Sequence, residues 1–269
     1  MGEKMNPNNF RNQSIGLRGM LIVILNEFKA FKSNLGSLVY MTIQPFLYYA
    51  FLVMGISYSI GPVKYRGLEL PYSAYAVVGV IGLIMTMQMS NAIYRSTVDK
   101  QFGLMAIKFL SGVKPVYYVL GMSNFPIMGY LYQSLILYFI LILTGINSYV
   151  PNFIVAVLVG TLMLIFWSSL GIFCSAMFKN YQQRDIVIQL VFAPIAFTAP
   201  SFYLDGFGPK YLILLSDINP LTYQLRALRS IAYGKWDISL IIISLIPTII
   251  MFIVTCATLK RIHLTLQER

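Results

Sequence analysis

A chain of 269 residues that is 58% hydrophobic and only 11% charged, with a mean hydropathy of +0.71, is excluded from the soluble globular class, in which roughly a quarter of residues are charged. The formal charge of +11 does not argue for nucleic acid, because basic residues in a membrane protein mark the cytoplasmic flanks of its spans. The sequence therefore predicts an all-α integral membrane protein. Its elements are taken here in chain order, with boundaries set by the roughly 20 apolar residues a crossing helix needs.

Residues 1–35 are expected to form a cytoplasmic N-terminus and an interfacial helix. The first fourteen residues are polar and lack an apolar core with a cleavage site, so the chain is expected to enter the membrane through its own first span, uncleaved. Leu17, Met20, Leu21, Ile24, Phe28 and Phe31 share a helical face, with Arg18, Asn26, Lys29 and Lys32 elsewhere on the wheel. That pattern predicts an amphipathic helix in the inner interface, its basic residues near anionic headgroups. A six-span transmembrane domain over 36–259 follows, with spans at 36–60, 73–95, 116–145, 153–178, 186–203 and 238–259, and a tail at 260–269. With both termini inside, fourteen Lys and Arg fall on cytoplasmic parts, among them Lys4, Arg11, Lys179 and Arg269, and six on outer parts. This asymmetry places both termini in the cytoplasm.

The loop 96–115 carries a second amphipathic pattern, with Val98, Phe102, Met105 and Phe109 at helical spacing. It reads either as an interfacial anchor or as a docking knob for a soluble partner. Prolines at 45, 126, 194, 200 and 247 permit kinks within spans. Residues 205–236 are too apolar for a loop and too interrupted to cross. Asn219 suits an N-cap, Pro220 a first helical position and Gly234 a C-terminal stop, so two short broken helices are expected at the outer membrane surface before the last span. Such broken segments accompany translocation pathways.

The chemistry absent from the chain is as informative. A single histidine, His263, lies in the tail, which leaves no histidine-rich metal site and no catalytic constellation inside the bundle. No phosphate-cradling Gly-x-x-x-x-Gly-Lys-Ser/Thr motif occurs. Cys174 and Cys256 lie in apolar segments and predict no disulfide. The central parts of the spans contain no Asp, Glu, Lys or Arg, which disfavours ion coupling and favours an outside energy source. Asp185 beside Arg184 reads as an interfacial ion pair. Neutral polar residues remain, including Gln88 and Asn91 on the second span and Asn124 and Gln133 on the third. They serve either as interhelical hydrogen-bonding residues or as a sparse lining for an amphipathic substrate. Gly171 and Ser175 form a small-xxx-small pair. Tyr58, Tyr72, Tyr149, Tyr203, Tyr211, Tyr233 and Trp236 read as an outer aromatic belt.

The element order resembles the membrane subunit of type-2 ABC exporters. The sharper match is Asn219-Pro220-Leu221-Thr222-Tyr223 followed by Leu225-Arg226-Ala227-Leu228-Arg229 and Gly234, which is similar to the closing signature of that family's drug and lipo-oligosaccharide exporters. Asp99-Lys100-Gln101-Phe102-Gly103 is similar to the start of the family's coupling segment, with Lys100-Gln101 where Arg-Glu is commoner. The resemblance implies a permease paired with itself or a paralogue and with two copies of a separate ATPase, which would bind Mg-ATP while this chain binds no cofactor. It implies ATPase coupling through Asp99, Lys100, Gln101, Phe102, Gly103, Met105 and Phe109. A substrate exit is expected near Asn219, Pro220, Tyr223, Arg226 and Arg229, and a pathway lined by Gln88, Asn91, Asn124 and Gln133.

The expected function is ATP-driven export of a hydrophobic or amphipathic molecule across a bacterial plasma membrane, with polysaccharide or teichoic-acid-like export as the alternative. From other classes, an ion-coupled carrier or channel, an intramembrane enzyme and a sensing or immunity subunit are the rivals. Arg226 and Arg229 are expected either to meet an anionic headgroup or to pair with Asp217 or Glu69.

Overall fold

A computed structural model describes residues 14–177 and 181–261. Lys4, Arg11, Lys179, His263, Arg269 and most of the tail lie outside the described residues. The described residues are mostly helical. Helix α1 is Leu17–Ser33 and α2 is Leu35–Ser57. A two-stranded hairpin follows, with β1 at Val63–Tyr65 and β2 at Leu68–Leu70. Next come α3 at Tyr72–Gln101, α4 at Leu104–Leu110, α5 at Pro115–Met122, α6 at Asn124–Thr144 and α7 at Phe153–Met177. The chain continues with α8 at Tyr181–Thr198, α9 at Lys210–Ile218, α10 at Pro220–Ala232 and α11 at Ile238–Arg261.

Among the described residues five segments are long and apolar enough to cross a membrane: α2, α3, α5 joined to α6, α7 and α11. The fifth expected span, 186–203, is displaced. Its helix, α8, has 18 residues, opens on the polar run Gln182-Gln183-Arg184-Asp185 and stops at Thr198. The stop has a local cause, because Ala199 precedes Pro200 and a residue before proline is pushed out of the helical region. In α2, Pro45 deletes a backbone donor, and the next turns, Tyr48–Met54, are wound as a π-helix.

Helix α3 is the axis of the bundle. It is buried along most of its length by its neighbours, and it packs against α7, α6, α10 and α2. Small residues set the close approaches. A Cβ on Gly171 of α7 would lie 2.7 Å from the Met89 carbonyl oxygen of α3, and one on Gly79 of α3 would lie 1.9 Å from that of Ser201. The main core runs along this axis, while a second cluster around Val23, Phe109, Tyr118, Ile172 and Leu259 closes the opposite end.

Helix α1 buries Gly19, Val23 and Glu27, where Gly121 of α5 lets Val23 come close, and leaves Leu17, Leu21 and Phe28 exposed. Two local expectations need correction. The coupling pattern is not one helix: α3 carries Asp99 and Lys100 in its last turn, Gly103 turns the chain at φ 70°, and α4 starts afresh at Leu104. Helix α10 is not a surface helix. Ten of its residues are buried, and Leu225 abuts Gly82 of α3, about ten residues or about 15 Å along that helix from Tyr72. The segment α9–α10 therefore dips into the bundle and returns. The hairpin was not anticipated; Arg66 (φ 48°) and Gly67 (φ 79°) form its tip, both left-handed as a two-residue type I′ turn requires.

Candidate functional site

The functional features fall at the two ends of α3 and on a polar seam between them. At the end near α4, charges are locked in pairs. Arg95 Nε and Nη2 donate to the two Glu27 carboxylate oxygens at 2.8 and 2.9 Å, and Glu27 is only 1% exposed. This fork geometry ties α1 to α3 with a strong, directional bond. Four residues on, the Asp99 carboxylate accepts from Lys108 Nζ and from the Tyr118 hydroxyl at 3.0 Å. Lys100 Nζ donates to the Ala176 carbonyl at 2.8 Å and the Ser175 carbonyl at 3.5 Å. These are last-turn carbonyls of α7, where a cation is favoured by the helix dipole.

Asp99 and Lys100 are thus turned inward and hold the segment together. Met105 and Phe109 are buried in the second core. The residues that α4 and its lead-in present outward are Phe102, Leu104 and Ile107, at 70, 43 and 52% exposure. Gln101 is half-buried and Gly103 makes the turn.

The neutral polar residues converge on a seam. Gln133 Nε2 donates to Gln44 Oε1 at 2.7 Å, Gln88 Nε2 to Gln133 Oε1 at 2.7 Å, and Asn91 Nδ2 to Gln88 Oε1 at 2.7 Å. Gln44 in turn donates to the Tyr48 hydroxyl at 2.9 Å. The seam crosses α2, α3 and α6, and Gly129 leaves room for it, since a Cβ there would lie 2.7 Å from Gln88 Oε1. Gln88, Asn91 and Gln133 therefore satisfy one another, which is the interhelical role of the two open readings. Asn124 stands apart, its Nδ2 donating to the Ile24 carbonyl of α1 at 3.4 Å.

The other end of α3 meets α10. Asn219 caps α10, its Oδ1 accepting from the Leu221 N–H at 2.9 Å, while its Nδ2 donates to the Ile195 carbonyl at 2.8 Å and Thr198 Oγ1 at 2.9 Å. Pro220 takes the first helical position and Gly234 turns the chain out at φ 73°. Midway, Trp167 Nε1 donates to Gln224 Oε1 at 2.8 Å. Arg226 makes a fork to Asp205 at 2.6 and 2.8 Å and reaches Asp217 at 3.3 Å. It is the pairing alternative with Asp217 that the structure realises; Glu69 instead faces Lys64 at 3.5 Å. The Tyr223 hydroxyl donates to the Asp217 carbonyl at 2.7 Å.

Arg229 is wholly buried, which corrects the expectation of a headgroup contact there. Its Nη2 donates to the Pro200 carbonyl at 2.8 Å and the Ser201 carbonyl at 3.2 Å. Its guanidinium carbon lies 3.7 Å from the centroid of the Tyr75 ring. Among the described residues, Nε and Nη1 have no hydrogen-bond partner and no carboxylate pairs with it. Tyr65 of the hairpin packs on both Tyr75 and Tyr233, ring centroids 5.7 Å apart in each case. Burial pushes the Tyr65 hydroxyl up, with the Arg229 charge opposing, so the phenol stays neutral and the cation is balanced by ring faces and carbonyl dipoles. A desolvated cation–π contact of this kind is worth about 2 kcal/mol or more. Tyr233 thus belongs to an internal cage and Tyr72 is buried, its hydroxyl donating to the Phe202 carbonyl, whereas Tyr58, Tyr149, Tyr211 and Trp236 are exposed.

A match to the family model for the ABC-2 type transporter covers residues 19–233, and so includes α1, both ends of α3, the seam and α10. The chain belongs to the ABC-2 type transporter family. No curated protein matches it. It is accordingly the permease component of an ABC transporter, a multi-pass membrane protein that is not itself the catalyst. Among the described residues no three His, Cys, Asp or Glu cluster as metal ligands would.

Sequence reasoning missed Glu27, Lys108, Tyr118, Tyr75 and Asp205 as partners. Glu27 carried a usable signal, being the one acid on an otherwise basic interfacial helix. The others are brought in by tertiary packing alone.

Proposed function

We propose that this permease works with two copies of a separate ATPase and exports a hydrophobic or amphipathic molecule, such as an antibiotic, an antimicrobial peptide or a lipid-linked species. In this reading α8 serves as a sixth span, both termini are cytoplasmic, and the protein resides in a bacterial plasma membrane as a dimer with itself or a paralogue. The observation that carries the coupling part is the exposed Phe102, Leu104 and Ile107 face, set on a segment whose Asp99, Lys100 and Lys108 are tied back into the bundle. An apolar knob on a braced base is suited to receive a push. The push would pass through the Asp99, Lys100 and Glu27–Arg95 contacts into α3 and along it to α10, where Arg226, Tyr223, Asn219 and Pro220 flank the exit. Span centres without Asp, Glu, Lys or Arg support an ATP-driven pump over an ion-coupled carrier or channel.

The test is purification of the chain from its own cells, identification of the ATPase that travels with it, and hydrolysis assays against a panel of amphipathic compounds and anionic polymers. Stoichiometric ATPase with compound-stimulated hydrolysis is expected. Transport by the chain alone, driven by an ion gradient, would overturn the reading, and stimulation by the polymers only would move the substrate to the polysaccharide class.

A further inference from the structure

Between α8 and α9 the run from Ala199 to Asp205 contains neither helix nor strand. Its backbone carbonyls therefore lack the partners that regular structure supplies, and in a bundle that excludes water they must be met by something else. Four consecutive carbonyls are met by side chains of other helices: Arg229 of α10 donates to those of Pro200 and Ser201, Tyr72 of α3 to that of Phe202 and Tyr75 of α3 to that of Tyr203. The two tyrosine bonds measure 2.6 and 3.0 Å. The Tyr75 hydroxyl also accepts from the Asp205 N–H at 3.2 Å, and the run ends at the Asp205 carboxylate held by Arg226.

These polar contacts, more than packing, fix the run. Its buried members, Ala199, Pro200 and Ser201, are small, and its large ones, Phe202, Tyr203 and Leu204, are only half-buried. The backbone lies directly on α3, where a Cβ on Gly79 would come 1.9 Å from the Ser201 carbonyl oxygen. Neutral hydrogen bonds exchange for bonds to water at small net cost, whereas a large apolar side chain drawn from a core leaves a cavity behind. A segment held in this way can lift without dismantling the core.

Two surroundings meet at the run. A cavity of about 400 Å³ is lined by its Leu204 and Asp205 together with Tyr65, Arg66 and Phe207. Arg229 is not among the residues lining that cavity; it is wholly buried, and its Nε and Nη1 have no hydrogen-bond partner among the described residues. The contacts that separate cavity from guanidinium pass through the Tyr65 and Tyr75 rings and through Asp205 and Ser201 of the run.

We propose that Tyr72, Tyr75 and Arg229 are positioning residues that hold residues 199–205 as a strap across the α10 end of the bundle, and that release of the strap opens the cavity onto the Arg229 guanidinium. Once released, the strap exchanges its bonds to tyrosine and arginine for bonds to water, and Arg229 does the same. The strap adjoins Asn219 and Arg226 of the proposed exit, and its use in export rests on that reading. Its release is a property of the permease alone and is measured without an ATPase.

Ser201 supplies the reporter, because it is 1% exposed and its hydroxyl has no hydrogen-bond partner among the described residues, so Ser201→Cys removes no bond. The experiment follows alkylation of that thiol by a charged, membrane-impermeant maleimide in nanodisc-reconstituted permease, read site by site by peptide mass spectrometry. Native Cys256, buried in the second core, is the internal reference. With Ser201→Cys alone, labelling at position 201 should be slow. Adding Tyr72→Phe and Tyr75→Phe deletes two donors to the strap and keeps both rings; labelling at 201 should quicken on the order of tenfold or more, with Cys256 unchanged. Gly79→Ala keeps every donor but drives a methyl group into the Ser201 carbonyl, and should give the same selective quickening. Fast labelling with Ser201→Cys alone, or labelling that neither perturbation accelerates, would overturn the proposal. Equal quickening at Cys256 would overturn it too, by marking general loosening of the bundle instead of release of the strap.

Discussion

The two ends of α3 handle charge in opposite ways. Near α4 three cations each meet an anion or a helix C-terminus: Arg95 meets Glu27, Lys108 meets Asp99, and Lys100 meets the carbonyls of α7. At the α10 end, Arg226 is forked to Asp205, but three residues on Arg229 is wholly buried against a tyrosine ring and two carbonyls, with no salt-bridged acid among the described residues. A desolvated ion pair resists any displacement, because separating it strands a charge in a dry site. A guanidinium stacked on a ring has a flatter energy surface and can slide. The first arrangement makes a stiff joint suited to passing on a push; the second makes a contact that can part and re-form.

The largest expected effect breaks the stiff joint. Arg95→Ala leaves the Glu27 carboxylate buried without a partner, a loss on the order of 3–5 kcal/mol, and should markedly lower the thermal midpoint of the purified permease. Glu27→Leu combined with Arg95→Met should recover most of it. If the single variant is as stable as the wild type, the joint is not a buried ion pair. Arg229→Leu strands no carboxylate and should cost less, about 2 kcal/mol, and Arg229→Lys should fail to restore it because the flat stacking surface is gone. A larger loss at Arg229 than at Arg95 would invert the comparison.

Smaller effects probe what lies between and beyond. Gln133→Leu removes the partner of Gln44 Oε1 and of Gln88 Nε2 within the bundle; measured interhelical bonds in membranes average about 0.6 kcal/mol, so a modest fall in midpoint is expected. A fall as large as that of Arg95→Ala would make the seam, rather than the charged joint, the main brace. The smallest effect is at the hairpin, where Arg66 reaches Asp237 at 3.1 Å. That hydrogen bond, then one from the Leu240 N–H, holds the Asp237 carboxyl below its ordinary value of 3.8. A depressed acid contributes stability above its unfolded pKa and loses it as pH falls through the folded value. Amide exchange in the hairpin, corrected for intrinsic rates, should therefore be flat around neutral pH and quicken only in the acid range below 3.8; quickening near neutrality would contradict the assignment.

Much of this was legible in the chain itself. Asn219, Pro220 and Gly234 are local signals whose chemistry does not depend on the rest of the fold, and they mark the start and end of α10. The depth of α10 was not legible, because Arg226 and Arg229 make the segment look like a surface helix. Only the tertiary placement of Tyr75 and the Ser201 carbonyl shows how a cation is kept inside. The inward turn of Asp99 and Lys100 was not legible for the same reason: a motif gives the residue types, while the neighbours at Lys108, Tyr118 and Ala176 decide which way they turn. The hairpin escaped notice because strands of three residues carry too little alternation to register.

The most direct test of the coupling account is a pull-down of the ATPase by permease carrying Phe102→Asp and Ile107→Asp. Both side chains are exposed, so the permease alone should keep its thermal midpoint, while ATPase retention and compound-stimulated hydrolysis should be lost together. Normal retention of the ATPase by this variant would contradict docking at the α4 face and return the segment to a role as an interfacial anchor.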